Sequence, residues 1–338
     1  MTSSSGTDID AGLAAMVICI CVLGVILNLL VILVVALNRN MRASTDLFVV
    51  NLSISDILLA GLALPLKINT ALYADGDFHG GDVGCKLIQF VPQFSIMCSI
   101  STMVAISFDR LFAITEQKYM RLRVTAVLIA LIWVIALATS APQLYEYSVS
   151  LEVEEYDNDT HVSCGSHDIP ENFETVYACI VLVVSYVLPL MLIAGNYGRL
   201  VVFLYKRSVV TTGTRLGQGG NHVMRSKIKV LKLLICLTVI FIILWMPYFV
   251  LFTIEEITDT DNSSESASAA HTVKHLMIAV STITNPILYA TFNKTFRLGL
   301  RRLVPCCKQG LVGDVGEVGC GEAGRNFVGD KTVSTTAV

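Results

Sequence analysis

The chain has 338 residues, of which 54% are apolar and only 15% charged, and its formal net charge is −3. Soluble domains carry about a quarter charged residues, so this composition excludes an ordinary soluble domain and places the chain in a bilayer. A slightly negative chain also offers nothing that points to nucleic acid as a partner.

The apolar residues gather into seven runs, each near the roughly 20 residues a helix rising 1.5 Å per residue needs to cross about 30 Å of hydrocarbon. The runs are Leu13–Leu37, Leu47–Tyr73, Leu87–Ile114, Val124–Tyr145, Val176–Leu204, Ile228–Ile257 and Thr272–Phe292. The first has no basic leader and is too long for a secretory signal core, so it reads as a spanning helix. Cys19, Cys21, Cys98, Cys179 and Cys236 lie inside runs as small hydrophobes, whereas Cys85 and Cys164 fall in loops expected on one side.

Lysines and arginines set the orientation. Arg39 and Arg42 follow the first run, Lys118, Arg121 and Arg123 the third, and Lys206, Arg207, Arg215, Arg225, Lys227 and Lys229 the fifth. Lys294, Arg297, Arg301, Arg302 and Lys308 follow the seventh. All share one face, so the amino terminus is expected outside and the carboxyl terminus in the cytoplasm. Most of the chain's 27 acids crowd the opposite face, among them Asp75, Asp77, Asp82, Glu152, Glu154, Glu155, Glu255 and Glu256. Such loops are either simply solvated or steer a ligand of opposite charge. Asn158 and Asn262 open glycosylation sequons in them, while a third at Asn293 falls on the cytoplasmic side.

Polar residues inside a bilayer are costly and usually functional. Asn28, Asp56, Ser99 and Asn285 sit near mid-membrane in runs one, two, three and seven. Asp56 with Ser99 and Asn285 is either a hydrogen-bonded structural group or a sodium site built from oxygen ligands, and the ion reading is preferred. No other metal spacing, and no nucleophile–base pair of an enzyme, stands out.

Taken in order, Asn28, the string Asn51-Leu52-Ser53-Ile54-Ser55-Asp56, Asp109-Arg110, Trp133, Pro189 with Tyr197, Phe241 with Trp245-Met246-Pro247, and Asn285-Pro286-Ile287-Leu288-Tyr289 resemble the motifs of rhodopsin-like G-protein-coupled receptors, one set per helix. The likeness covers roughly residues 12 to 307. It implies an all-α membrane protein, a seven-transmembrane helix bundle with a short amphipathic eighth helix, in the plasma membrane. Residues 1–12 then form an extracellular amino terminus, 13–304 the receptor domain with its eighth helix, and 305–338 a cytoplasmic tail. A heterotrimeric G protein and arrestin are the implied partners, and no cofactor beyond an allosteric sodium ion is implied.

The resemblance also assigns roles. Cys85 and Cys164 form a disulfide over the mouth of helix three, against the alternative of two free thiols. Asp109, Arg110, Tyr197 and Tyr289 serve coupling and activation, and Leu111 departs from the tyrosine usual after the arginine. Lys227 stands where some members put an acid facing that arginine. Ile100, Pro189, Phe241, Trp245, Pro247, Asn285 and Pro286 correspond to the packing switch that swings helix six outward. After helix seven, Phe296–Arg302 mixes apolar and basic residues as a membrane-surface helix does, with palmitoylation expected at Cys306 and Cys307. The terminal Thr336-Ala337-Val338 fits a PDZ-domain ligand.

Ligand contacts are expected at Gln93, Trp245, Tyr248, Glu255 and His275. Pro92 and Gln93 replace the acid of amine receptors, and Ala279 replaces the retinal-linking lysine of light receptors. Cys85–Pro92, Pro142-Gln143 and Phe296–Gly299 resemble neuropeptide receptors, tachykinin receptors among them, although those usually carry Glu where Asp56 stands. A basic neuropeptide is the expected ligand. The alternatives are a receptor for a non-peptide ligand, a scavenger receptor that does not signal, which would be expected to lack Arg110 or Tyr289, and a transporter, for which no internal repeat is found.

Overall fold

The computed structural model describes residues 5–39, 41–65, 78–116, 118, 120–153, 160–166, 170, 173–213, 235, 238–254 and 265–303. Among them stand seven long helices and a short eighth. They are α1 (Ser5–Leu37), α2 (Ser44–Leu58, continued by a π turn at Leu59–Ala63), α3 (Gly81–Thr115) and α4 (Leu122–Ser140). Then come α5 (Phe173–Leu182, a π turn at Val183–Val187, then Leu188–Gly213), α6 (Thr238–Ile254), α7 (Glu265–Phe292) and the short α8 (Lys294–Leu303). Five of the described helices are long and apolar enough to cross a membrane, with shorter apolar helices at Thr238–Ile254 and Leu276–Thr291. Large apolar side chains such as Val22, Ile26, Val127, Val134 and Met191 are exposed on the outer surface. In water that belt would aggregate; against lipid it costs nothing.

Three helices start six or more residues earlier than their apolar runs. α1 begins at Ser5 rather than Leu13, α3 at Gly81 rather than Leu87, and α7 at Glu265 rather than Thr272. Hydropathy measures the crossing of hydrocarbon, and a helix can continue past it through polar residues. In consequence Cys85 lies in the first turns of α3, not in a loop, and Cys164 lies in a strand. Lys227, Asn158, Asn262, Glu255, Cys306, Cys307 and the terminal three residues lie outside the described residues, as does the side chain of His275.

Each π turn sits four residues before a proline. A proline ring clashes with the carbonyl four residues earlier and cannot donate to it; those positions are Gly61 for Pro65 and Ser185 for Pro189, both inside the π turns. Widening the turn relieves the clash.

With hydrocarbon outside, polar side chains tie the bundle from within. Asn51 on α2 donates to Thr102 Oγ1 on α3 at 2.8 Å and accepts from Trp133 Nε1 on α4 at 2.8 Å. Asn196 on α5 donates to Ser107 Oγ on α3 at 2.9 Å, and the Tyr177 hydroxyl donates to the Thr139 carbonyl at the end of α4 at 2.9 Å. Where α1 meets α7, a Cβ on Gly24 would lie 2.5 Å from Thr282 Oγ1, so only glycine permits the approach. α8 is capped by Asn293 Oδ1, which accepts from the Phe296 N–H at 3.1 Å, and it buries Phe296 while leaving Leu298 exposed.

Beyond α4, a turn at Pro142–Glu146 leads into an antiparallel hairpin of β1 (Tyr147–Val153) and β2 (Thr160–Ser166) that places Val149 opposite Cys164. The hairpin packs on α3 and also accepts the Phe78 N–H at the Val162 carbonyl, 2.7 Å away.

Candidate functional site

The site residues lie along the bundle interior, from the hairpin end to the opposite end where Asp109 sits. At the hairpin end a disulfide joins Cys85 to Cys164, with Cα atoms 5.6 Å apart. It fixes β2 to the first turns of α3, so the hairpin is tied over that end of the helix.

Deeper in, Gln93 on α3 is fully buried, and among the described residues neither its amide nitrogen nor its amide oxygen has a hydrogen-bond partner. Orphaned buried amides are costly, so Gln93 has hydrogen-bonding capacity to spare for a polar partner. Trp245, Tyr248, Phe249 and Phe252 on α6 form an aromatic column. Trp245 meets Tyr248 edge-on at 5.8 Å, Tyr248 stacks on Phe252 at 6.1 Å, and Tyr186 of α5 joins at 5.1 Å from Phe249. Phe241 lies one turn beyond Trp245, at 6.3 Å. Ile100 and Phe241 share one buried core cluster, and Pro189 is buried on α5. Next to this pair a small cavity is lined by Met103, Phe241, Leu244, Trp245, Ser281, Asn285 and Leu288. α6 remains helical through Pro247.

At mid-depth Asp56 is buried, with Asn285 Nδ2 donating to Oδ2 at 3.0 Å and Ser99 Oγ at 3.5 Å from Oδ1. The structure thus brings together all three residues expected there. Asp56 and Ser99 offer the hard oxygens a sodium ion requires; Asn285 turns its nitrogen toward Asp56 and so supports the carboxylate instead of acting as a further oxygen ligand.

At the far end Asp109 is fully buried and saturated. Ser44 Oγ donates to Oδ1 at 2.5 Å and Thr45 Oγ1 to Oδ2 at 2.7 Å, while Arg110 donates to Oδ2 from Nε at 3.2 Å and Nη2 at 2.6 Å. Tyr197 on α5 hydrogen-bonds the Thr238 side chain on α6, and the Tyr289 hydroxyl donates to Asp46 Oδ1 at 2.9 Å. Ser44, Thr45 and Asp46 do not stand out in the sequence as site residues. Their signal is the short polar run ahead of an apolar one, the signature of a helix cap.

The seven-transmembrane receptor (rhodopsin family) model matches residues 27–289. The chain belongs to that family. This receptor is therefore a multi-pass plasma-membrane protein and not an enzyme. It is 25% identical over 284 residues to a QRFP-like peptide receptor of Branchiostoma floridae, a match covering 82% of this chain and 73% of that one. It is 29% identical over 286 residues to the tachykinin-like peptides receptor 99D of Drosophila melanogaster, covering 83% of this chain but only 54% of the fly protein. Against the human substance-P receptor it is 29% identical over 301 residues, with 87% and 71% covered.

Proposed function

We propose that this receptor sits with its amino terminus outside, binds an extracellular peptide of basic character at the hairpin end, and activates heterotrimeric G proteins by outward movement of α6 at the Arg110 end. The observation that carries the reading is the Asp109–Arg110 pair. Arg110 is held by a buried carboxylate that α2 has already bound twice, so the arginine can leave for a partner without orphaning Asp109. That is the behaviour a coupling residue needs, and the relatives named as peptide receptors support the ligand class.

The path between the ends runs through the aromatic column. A ligand that moves Trp245 presses on Phe241 beside the small cavity, and Pro247 supplies the weak point in α6. A sodium ion on Asp56 and Ser99 would add positive charge that the buried carboxylate balances, and would favour the closed packing. The acidic face, with Glu152, Glu154, Glu155, Glu255 and Glu256, would draw a cationic ligand, and the orphaned amide of Gln93 would pair with a polar group on it. Arrestin is a further partner at the Arg110 end, and a PDZ-domain protein at Val338.

The test is nucleotide exchange on added G proteins in membranes carrying the full chain, screened with peptide pools of basic, neutral and acidic net charge. Basic pools should stimulate exchange, and Arg110→Ala should abolish the response. A potent agonist confined to the neutral or acidic pools would overturn the charge argument, and a response untouched by Arg110→Ala would overturn the coupling argument.

A further inference from the structure

We infer that Asp82 is a positioning residue whose carboxylate accepts the Val149 backbone N–H, fixes the tilt of the hairpin on α3, and so shapes the ligand entrance at that end. The consequence for a ligand rests on the peptide reading above; the geometry does not.

The Val149–Cys164 rung is the point of attachment. In an antiparallel pair, opposed residues alternate between those whose backbone groups bond across the ladder and those whose backbone groups point away from it. The Val162 carbonyl accepts the Phe78 N–H from outside the hairpin, so the Leu151–Val162 rung is of the outward kind. The Val149–Cys164 rung, two residues along, is therefore outward as well. The Val149 N–H leaves the sheet, and the Asp82 carboxylate accepts it there. On the opposite strand of the same rung, Cys164 is bonded to Cys85. One rung is thus held twice, β1 through its backbone and β2 through its sulfur.

Both grips come from one face of one helix. Asp82 and Cys85 stand three residues apart on α3, the spacing that sets side chains next to each other. Lys86 follows one turn after Asp82, with Nζ 2.9 Å from Oδ2, and restricts the carboxylate to one orientation. A disulfide by itself is a chain of rotatable bonds about which the hairpin can rock. A second grip on the neighbouring strand, roughly 4.8 Å across the ladder, removes that freedom. Asp82 is half-exposed, so the bond adds little to overall stability and acts on orientation instead. Its charge is also already engaged by Lys86 and Val149, which sets Asp82 apart from acids that only steer a ligand.

The experiment uses the full chain in lipid nanodiscs with Asp82→Ala, Val149→Pro, the double variant, and Asp82→Ala combined with Val83→Asp. Proline removes the donor and suits a strand position whose N–H faces outward. Val83→Asp returns an acid to the first turn of α3, and with it the favourable helix-dipole interaction, but about 100° further round the helix. Spin labels at Leu151 on β1 and Val176 near the start of α5, both exposed, report the tilt as a distance distribution. The half-maximal concentration of the basic peptide pool in nucleotide exchange reports the consequence. Asp82→Ala, Val149→Pro and the double variant should broaden the distribution to the same extent. They should raise the half-maximal concentration roughly three- to tenfold, the worth of one hydrogen bond to a half-exposed charged acceptor. Val83→Asp should reverse neither effect. A distribution unchanged in Asp82→Ala, narrowed again by Val83→Asp, or broadened additively in the double variant overturns the clasp. Should Asp82→Ala fail to fold, an unchanged distribution in Val149→Pro overturns it equally. A broadened distribution with an unmoved half-maximal concentration overturns the role at the entrance. If the distribution broadens as expected while the basic pool stimulates no form, wild type included, the clasp stands and the peptide reading fails.

Discussion

Asn28 donates its side-chain amide to the Thr282 carbonyl at 2.8 Å, the carbonyl that Pro286, four residues on, leaves without its helical donor. A buried backbone carbonyl must find a partner, and in a bundle surrounded by hydrocarbon it finds one on the next helix. Asn28 therefore repairs the break that Pro286 makes, and α1 and α7 are joined at the point where α7 is weakest. Asn28→Leu should cost about 1–3 kcal/mol of stability, read as a lower melting temperature in detergent. In a Pro286→Ala background, where the backbone N–H that proline lacks is restored, the same substitution should cost much less. Equal losses in both backgrounds would show that the two residues do not act on one carbonyl.

The close approach of the same helices gives a second prediction. Gly24→Ala would drive a Cβ to 2.5 Å from Thr282 Oγ1, and such overpacking costs roughly 1–3 kcal/mol. Thr282→Ala removes the clashing oxygen and should recover most of that loss. Thermal denaturation of the two single variants and the double variant measures the coupling.

Cys85→Ser and Cys164→Ser should each lower surface expression, and the double variant should be little worse than either alone, because each removes the same bond. Cell-surface labelling of the three variants decides it. Clearly additive losses would mean that the cysteines matter separately.

For the proposed ion, sodium should lower basal nucleotide exchange relative to potassium at equal ionic strength, because an ion that binds the closed packing more tightly shifts the equilibrium toward it. Asp56→Asn should remove the difference between the two salts. A sodium effect that survives the substitution would reject Asp56 as its ligand.

The seven crossings and the Asp56–Ser99–Asn285 group are legible in the sequence for the same physical reason. Long apolar runs announce lipid contact, and a polar residue inside one announces an inward-facing partner. The hairpin escapes that reading although Tyr147, Val149, Leu151 and Val153 alternate with Ser148, Ser150 and Glu152, the period of a strand. Attention to apolar length hides a signal carried by alternation. Asp46 escapes it for another reason. It precedes the apolar run, where acids are ordinary cap residues, and nothing in one dimension shows that its second oxygen faces a tyrosine far along the chain on α7.

Interior contacts that hold a closed bundle, able to open at the Arg110 end, are tested most directly by a distance measurement between spin labels. The labels go at Phe112 on α3 and Ile235, three residues before α6, both exposed positions. The comparison is between the receptor alone and the receptor bound to nucleotide-free G protein with the most active basic peptide. Opening predicts a distance longer by several ångströms in the complex. A distance that stays the same while the preparation catalyses nucleotide exchange would contradict it.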